Sequence, residues 1–394
     1  MSHATRPSHE LTLLQGSQAY FPALVQAMAA AQDEILFETY IFDFSASSLA
    51  VAQALAQAAQ RGVVVRVVLD GLGTRVLPPD WAKRWRDAGV EWRIFEPLGA
   101  GGVWFPSRWR RLHRKLCVVD QQLAFCGGIN VLDDFHDPHD RQALQLPRLD
   151  FAVQCRGPMV RAVHATMTQL WGRMAMAQAL RSQQLTAALD IFRETEAVSL
   201  PDARGRYRLV LRDNVRHRTD IQRSYLRAIG RARHEILIAN AFFFPAPKLR
   251  RALARAAQRG VRVRLLLQGY YEYAVPYRAA RQVYGQLLSQ GIEILEYQAS
   301  YLHAKVAVID GRWATVGSSN LDPLSLLLAR EANVVVQDAA FAKSLQARLE
   351  QAIAQGGQAV DPQVYAQRSA WQRMLDGGAY LLMRLAILLA ARRY

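Results

Sequence analysis

The chain has 394 residues, of which 51% are hydrophobic, and it carries a formal charge of +16 with a pI near 10.2. This length accommodates two domains or two similar halves, and the charge favours an anionic partner surface, either nucleic acid or acidic lipid. The three cysteines, Cys117, Cys126 and Cys155, are odd in number and lack metal-ligand spacing, which argues against a disulfide framework and a zinc site and indicates a reducing compartment.

The first ten residues, Met1 to Glu10, are too polar for a signal peptide. No uninterrupted apolar run approaches the roughly 18 to 20 residues that a membrane-spanning helix requires. The sequence therefore predicts a soluble or peripheral cytoplasmic protein.

An internal repeat determines the predicted architecture. Residues 54–62 read ALAQAAQRG and residues 252–260 read ALARAAQRG, followed by the apolar runs VVVRVVLDG and VRVRLLLQG. A glycine after an alanine-rich segment is typical of a helix C-cap, so each copy predicts a helix, a short loop and a buried strand. A further strand candidate precedes each helix, EILFETYIF from Glu34 and EILIANAFF from Glu235.

Strands that alternate with helices at these lengths indicate the α/β class. We expect two similar halves related by a pseudo-twofold axis, each a mostly parallel sheet flanked by helices. The predicted division is 1–171 for the first half, 172–206 for a polar, helix-prone connector, 207–365 for the second half and 366–394 for an amphipathic tail.

Each half contains the same polar motif, LHRKLCVVDQQLAFCGGIN in the first and LHAKVAVIDGRWATVGSSN in the second. Because strand side chains alternate, a histidine and a lysine two residues apart project from one face. An imidazole beside an ammonium indicates a site for an anion. The candidate residues are His113, Lys115, Asp120, Gly127, Gly128 and Asn130 in the first copy, and His303, Lys305, Asp310, Gly317, Ser318 and Asn320 in the second.

Phosphoryl transfer explains this combination of residue types. The lysines can hold the phosphate charge, and one histidine can attack phosphorus while the other protonates the leaving oxygen and later activates the incoming alcohol. Neither a metal ion nor another cofactor is needed, and the sequence offers no ligand cluster for one. Phosphate binding is assigned to the asparagines, which donate hydrogen bonds, and to the small residues that allow backbone amides to approach: Asn130, Asn320, Gly128 and Ser318.

A carboxylate after each motif is a candidate for orienting a histidine. Asp150 in RLDFAV and Glu331 in REANVVV each precede an apolar run typical of a strand. A carboxylate that accepts a hydrogen bond from one ring nitrogen fixes the imidazole tautomer. The alternative is that both are charges at a strand edge.

The two HxKxxxxD segments, each followed by a glycine pair or Gly-Ser and then Asn, resemble the HKD motifs of the phospholipase D superfamily. The resemblance implies a phosphohistidine on one histidine, expected to be His113, with the other as general acid and the two motifs meeting between the halves. It also implies that Asp120 and Asp310 complete the catalytic set with His113, Lys115, His303 and Lys305 by supporting its structure.

Further segments, GSSNLDPLSL, ANAFFFP, LRDN and the HRK form of the first motif, look like the B-type family of bacterial cardiolipin synthases over about residues 11–365. This similarity implies phosphatidyl transfer from one phosphatidylglycerol to another with release of glycerol. A phospholipase D-type hydrolase, a nuclease of the same superfamily and an inactive anion-binding protein are the alternatives. Gly128 stands where the superfamily commonly has serine, so we expect the two halves to differ in their roles.

Two segments are expected to contact lipid, although each is also consistent with ordinary packing. The first half has about 12 extra residues before its motif histidine, rich in side chains typical of a membrane interface: Val103, Trp104, Phe105, Trp109 and the arginines 108, 110 and 111. The tail AYLLMRLAILLAARRY has the apolar content and terminal arginines of an interfacial helix.

The expected partners are anionic phospholipids, namely phosphatidylglycerol and cardiolipin, at the cytoplasmic face of the bacterial inner membrane. Nucleic acid is not expected, because the aromatic insertion and the apolar tail favour lipid, and no obligate protein partner is evident in the sequence.

Overall fold

A computed structural model of the chain describes residues 9–97, 110–136, 143–197, 205–270, 274–322, 325 and 328–391. These residues divide into two units, and the division does not follow the order of the chain throughout. The first unit contains described residues 9–97, 111–133, 152–197 and 205–209, and the second contains residues 110, 134–136, 143–151 and those from 210 onward.

The first unit contains one seven-stranded sheet, a further two-residue strand that is not part of this sheet, and the helices around them. Its strands are β1 (Glu10–Gln15), β2 (Glu34–Thr39), β3 (Val64–Asp70), β4 (Glu91–Phe95), β5 (Arg111–Leu112), β6 (Leu116–Val119), β7 (Leu123–Gly127) and β8 (Phe151–Arg156). Its helices are α1 (Gly16–Ala30), α2 (Leu49–Gln60), α3 (Pro79–Ala88), α4 (Met159–Arg181) and α5 (Leu185–Ala197), with a 3₁₀ turn at Ala46–Ser48. The strand order of the sheet is β1-β8-β7-β6-β2-β3-β4.

The second unit repeats this arrangement. After β9 (Tyr207–Arg212), its strands are β10 (Glu235–Asn240), β11 (Arg262–Gln268), β12 (Glu293–Tyr297), β13 (Lys305–Ile309), β14 (Trp313–Gly317), β15 (Ala329–Val336) and β16 (Gly357–Ala359). Its helices are α6 (Asp220–Arg231), α7 (Pro247–Gln258), α8 (Ala274–Leu288), α9 (Ala339–Gly356), α10 (Pro362–Ala366) and α11 (Ala370–Ala391). The strands follow the order β16-β12-β11-β10-β13-β14-β15.

The repeat inferred from the sequence has a direct structural counterpart. The order β4-β3-β2-β6-β7-β8 in the first unit matches β12-β11-β10-β13-β14-β15 in the second. Apolar side chains of each sheet and its helices form a separate core, which contains Leu55 and Trp85 in the first unit and Leu253 and Leu287 in the second. The predicted α/β fold in two similar halves is confirmed, whereas the predicted boundaries at 171, 206 and 365 stay a prediction.

One detail differs from the prediction, because both sheets are mixed rather than mostly parallel. β2, β3 and β4 are parallel, but β6 and β7 run antiparallel to their neighbours, and β10 to β14 follow the same pattern. Each motif forms a hairpin whose two turn residues have positive φ, 49° and 53° at Asp120 and Gln121, and 52° and 58° at Asp310 and Gly311. Consecutive left-handed residues are typical of the turn that joins antiparallel strands, and Asp-Gly is its sequence signal.

The aspartate that ends each motif ties this hairpin to the start of the central strand. Three backbone N–H groups donate to Asp120 at 2.8 to 3.0 Å, and three donate to Asp310 at 2.8 to 2.9 Å. Desolvation opposes ionisation of Asp310, but these backbone donors outweigh it and lower its pKa. The donors are residues 32, 33 and 34 in the first unit and 233, 234 and 235 in the second.

A buried ion pair distinguishes the first motif from the second. Arg114 binds Glu38 through two hydrogen bonds, Nε to Oε2 at 3.0 Å and Nη2 to Oε1 at 3.1 Å, and both side chains are almost completely buried. The equivalent positions of the second unit, given by its strand register and motif, are Ala239 and Ala304. The same strand arrangement therefore forms around an ion pair in one unit and around two alanines in the other.

The described residues include no helix that is long and apolar enough to cross a membrane.

The ion pair predicts non-additive effects of substitution on stability. Arg114→Met alone leaves the Glu38 carboxylate buried without its partner and should lower the free energy of unfolding by about 3 to 5 kcal/mol. Adding Glu38→Leu removes that charge, so the double variant should be more stable than the single one. Urea unfolding followed by circular dichroism measures both, and a double variant less stable than Arg114→Met would contradict this account.

Candidate active site

The first motif begins at the edge of β6, beside the carboxyl end of β2. Lys115 is almost fully buried, and its Nζ donates a hydrogen bond to the His113 carbonyl oxygen at 2.8 Å. The Tyr40 ring meets the His113 ring edge to face at a centroid distance of 4.9 Å, and Lys115 Nζ lies 5.3 Å from the Tyr40 ring centroid. The imidazole and the ammonium thus share one aromatic neighbour, which stabilises the cation through its π face.

Asp70, at the end of β3, anchors the residue that precedes His113. Its Oδ2 accepts a hydrogen bond from the Leu112 N–H at 2.7 Å, and Arg111 lies 3.4 Å from its Oδ1. Burial raises the pKa of Asp70, and the arginine and the backbone donors lower it only in part. The buried carboxyl group of Asp70 therefore fixes the position of the backbone that carries His113.

The second motif has the same arrangement, but with a neutral side chain in place of Asp70. Lys305 is fully buried, and its Nζ donates to the His303 carbonyl oxygen, as Lys115 does in the first motif. Gln268 occupies the place of Asp70, and its Oε1 accepts a hydrogen bond from the Leu302 N–H at 3.0 Å. Asp70 and Gln268 were not singled out in the sequence, although the aligned runs VVVRVVLDG and VRVRLLLQG place them at equivalent positions.

Asp150 lies beside the histidine of the second motif, with its Oδ2 2.6 Å from His303 Nδ1. A carboxylate can only accept, so the proton of this hydrogen bond lies on Nδ1 of His303. The backbone around Asp150 is fastened to the motif, because Leu149 N–H donates to the Tyr301 carbonyl at 2.8 Å and His303 N–H donates to the Leu149 carbonyl at 2.9 Å. The Ser300 hydroxyl adds a bond to the Leu146 carbonyl at 2.7 Å.

Glu331 is fully buried and accepts hydrogen bonds from the hydroxyls of Ser318 and Ser325. Ser318 therefore supports this carboxylate as well as being a candidate for phosphate binding. The role of Glu331 towards a histidine stays a prediction.

The remaining motif residues are held at the ends of the same strands. Asn130 Oδ1 accepts a hydrogen bond from the Ile41 N–H at 3.2 Å. Gly127 N–H donates to the Lys115 carbonyl at 3.3 Å, and Gly128 follows it in a buried position. Gly317 packs so closely against the Asn333 side chain that there is no room for a Cβ atom. Packing therefore accounts for the glycine at this position.

Asp120 and Asp310 lie at the opposite end of the motif strand from the histidine and bind backbone N–H groups. This geometry fits the supporting role that the resemblance implies for them.

Three buried amide atoms around the second motif have no hydrogen-bond partner among the described residues: Asn240 Nδ2, Gln268 Nε2 and Asn320 Oδ1. Buried polar atoms are nearly always hydrogen-bonded, so this set is suited to a polar ligand. In the first unit, Thr39, Asp70 and Asn130 stand at the equivalent positions and form hydrogen bonds within the protein.

Metal ligands are scarce in the part of the chain that the structure describes, which contains no group of three or more His, Cys, Asp or Glu side chains able to hold a metal ion. All three cysteines are buried. Burial raises the pKa of the Cys117 thiol well above its usual range and raises that of Cys155 to about 12. These two thiols are therefore protonated at neutral pH.

The aromatic insertion, with Val103, Trp104, Phe105, Arg108 and Trp109, lies outside the described residues. Its predicted contact with lipid stays a prediction.

Comparison with known proteins agrees with this geometry. A family model described as "Cardiolipin synthase, PLD-like domain" matches residues 24–135 and 225–353, which contain both motifs. Cardiolipin synthase B of Escherichia coli is 37% identical over 94% of this chain and 87% of its own length, and that of Salmonella typhi is 35% identical over 93% and 86%.

A solved structure shares the fold at low identity. Phosphatidylserine synthase of Haemophilus influenzae superposes with a TM-score of 0.68 at 12% identity, covering 96% of this chain and 94% of its own. The family model, which covers more than half of the chain, and the near full-length relatives identify the family. The chain belongs to the cardiolipin synthase family of proteins with phospholipase D-like domains.

Proposed function

We propose that this chain is a cardiolipin synthase that transfers a phosphatidyl group from one phosphatidylglycerol to the glycerol hydroxyl of another and releases glycerol. The observation that carries the proposal is the imidazole of His303, held by Asp150 at 2.6 Å within one of two His-Lys motifs, in a chain 37% identical to cardiolipin synthase B. The phosphohistidine intermediate and the location at a membrane are further parts of the proposal.

In the first step, one histidine attacks the phosphorus of phosphatidylglycerol and forms a nitrogen–phosphorus bond. The bond from phosphorus to the headgroup glycerol oxygen breaks, and the second histidine gives its proton to that oxygen. We assign the attack to His113 and the proton to Nε2 of His303. The Asp150 carboxylate supports this assignment because it stabilises the protonated imidazole that must exist before the transfer.

In the second step, the neutral His303 takes the proton from the glycerol hydroxyl of a second phosphatidylglycerol. The hydroxyl oxygen attacks phosphorus, the nitrogen–phosphorus bond breaks, and cardiolipin forms with both histidines restored. Atoms and charge balance without an external cofactor.

Lys115 and Lys305 each supply positive charge close to the histidine of their own motif, and this charge would stabilise the phosphate during transfer. The unsatisfied amide atoms of Asn240, Gln268 and Asn320 suit the hydroxyl groups of a glycerol headgroup, which both donate and accept. We therefore propose that the headgroup is recognised mainly on the side of the second motif.

The lipid substrates lie in a bilayer, so we propose peripheral action at the cytoplasmic face of the inner membrane. The net charge of +16 favours a surface of anionic lipid. A nuclease remains the alternative with the same chemistry, and cleavage of nucleic acid by the purified protein would support it.

The two-histidine cycle predicts equal and non-additive losses. His113→Ala and His303→Ala should each lower kcat at least roughly 1,000-fold, and the double variant should lose no more than either single variant. Radiolabelled phosphatidylglycerol vesicles provide the assay. A covalent phosphate trapped on His303 instead of His113 would reverse the assignment of the nucleophile.

The Asp150 contact predicts a loss confined to catalysis. Asp150→Asn keeps the shape of the side chain but cannot stabilise the imidazolium, so kcat should fall at least about 100-fold while KM changes little. Ser300→Ala is the matched control, because it removes a neighbouring bond of the same segment without touching His303, and it should keep activity near that of the wild type. Wild-type kcat in Asp150→Asn would rule out the positioning role.

Transfer and hydrolysis differ in the product. Water is far more concentrated than any lipid hydroxyl, so a synthase must shield the phosphohistidine and hold the acceptor close. The wild-type protein on phosphatidylglycerol vesicles should therefore yield chiefly cardiolipin and little phosphatidic acid, as read by mass spectrometry. Chiefly phosphatidic acid would replace the synthase with a phospholipase.

A further inference from the structure

Helix α11 attaches to the second unit through one face only. Asp376, which is buried, accepts hydrogen bonds from Arg368 at 2.6 Å and from Arg278 of α8 at 3.5 Å. Ala379 and Met383 are buried on the same side of the helix. A buried carboxylate between two guanidinium groups tolerates little rotation, so these contacts determine which face of α11 points outward.

The outward face is apolar over most of the helix. Its members, together called the α11 apolar face, are 53 to 65% exposed: Trp371, Met374, Leu381, Leu382, Leu385 and Leu388. At 3.6 residues per turn they occupy an arc of roughly 120°, opposite to Asp376 and Met383. An apolar stripe of this width on a surface helix normally faces a core, and here it faces away from one.

The exposed charges along α11 are all positive. Arg373 and Arg384 are exposed beside the apolar face, and Asp376 is the helix's one acidic residue. Because Asp376 is buried and paired with two arginines, the helix presents positive charge and no exposed carboxylate. Apolar side chains flanked by cations match the interface of an anionic bilayer.

Helix α5 provides an internal comparison, because it also exposes apolar side chains, Leu185, Leu189 and Phe192. Its exposed charges are Asp190, Arg193 and Glu194, and Arg193 lies 3.5 Å from Asp190. The α5 stripe therefore has a net negative border, which an anionic surface repels. Both helices expose apolar side chains, but the exposed charges beside them are positive on α11 and net negative on α5.

We propose that the α11 apolar face docks into the interface of an anionic phospholipid bilayer, with Arg373 and Arg384 at the level of the headgroups. This inference deepens the proposed function, on which it rests for the identity of the membrane as the source of substrate. A second copy of the chain is the other occupant that an apolar face admits, and the experiment separates it from lipid.

The test measures binding of the full chain to vesicles of phosphatidylcholine with about one-third phosphatidylserine, a lipid that is anionic but is not the proposed substrate. Leu381→Gln, Leu382→Gln and Leu385→Gln together should weaken binding at least roughly tenfold, because they remove most of the apolar area that enters the interface. Arg373→Gln and Arg384→Gln should each weaken it roughly fivefold, and the effect of both should vanish on pure phosphatidylcholine.

The matched control is the triple variant Leu185→Gln, Leu189→Gln and Phe192→Gln on α5. It removes a similar exposed apolar area and should bind vesicles within about twofold of the wild type. Unchanged binding of the α11 variant overturns the proposal, and so does an equal loss in the α5 variant. Sedimentation that shows a dimer dissolved by the α11 substitutions, with vesicle binding intact, assigns the face to a second copy instead.

A detergent assay separates this inference from the proposed function. In mixed micelles of detergent and phosphatidylglycerol, the wild type and the α11 triple variant should form cardiolipin at similar rates, while only the variant loses activity on vesicles. If the wild type forms no cardiolipin in micelles but its vesicle binding still depends on α11, the proposed function fails and the docking surface stands.

Discussion

Two carboxylates, Asp120 and Asp310, set the register on which both motifs depend. Each collects backbone N–H groups at the start of the central strand, and so fixes the motif strand against β2 or β10. A slip of one residue would turn the histidine and the lysine to the opposite face of the sheet. The third member of each motif therefore acts from the far end of the strand, because it decides where the other two point.

The two units reach the same backbone geometry with different electrostatics. Around His113 the supports are charged, namely Asp70 and the Glu38–Arg114 pair, whereas the second unit has Gln268 and two alanines at these positions. The charged supports are hydrogen-bonded within the protein, whereas three amide atoms of the second unit have no partner among the described residues. The two motifs therefore differ in the polar groups around them, and only the second has buried amide atoms suited to a ligand among the described residues.

Local signals made much of this structure predictable. Helix caps, apolar runs and the repeat identified the α/β halves, and the spacing of His113 and Lys115 predicted their common face. The sequence analysis did not predict the antiparallel hairpin, although Asp310-Gly311 is a typical hairpin turn. The alternation of helices and strands suggested parallel strands, and this pattern does not hold for the strands of the motif. Glu38 could not be assigned, since its burial depends on Arg114, 76 residues away, and no pattern within either segment reveals that pair.

The partner of Asp150 shows the limit of reading a repeat as two independent sites. The residue precedes β8 of the first sheet, yet it belongs to the second unit, and its carboxylate holds His303 across 153 residues of chain. The bridge between Leu149 and Leu302 fixes this arrangement through the backbone, so it does not depend on one side chain. A segment that precedes β8 thus supplies the carboxylate that is hydrogen-bonded to His303, and the second copy of the repeat does not contain that carboxylate. Aligning the two copies of the repeat could therefore not reveal this contact, because its two partners are not at equivalent positions.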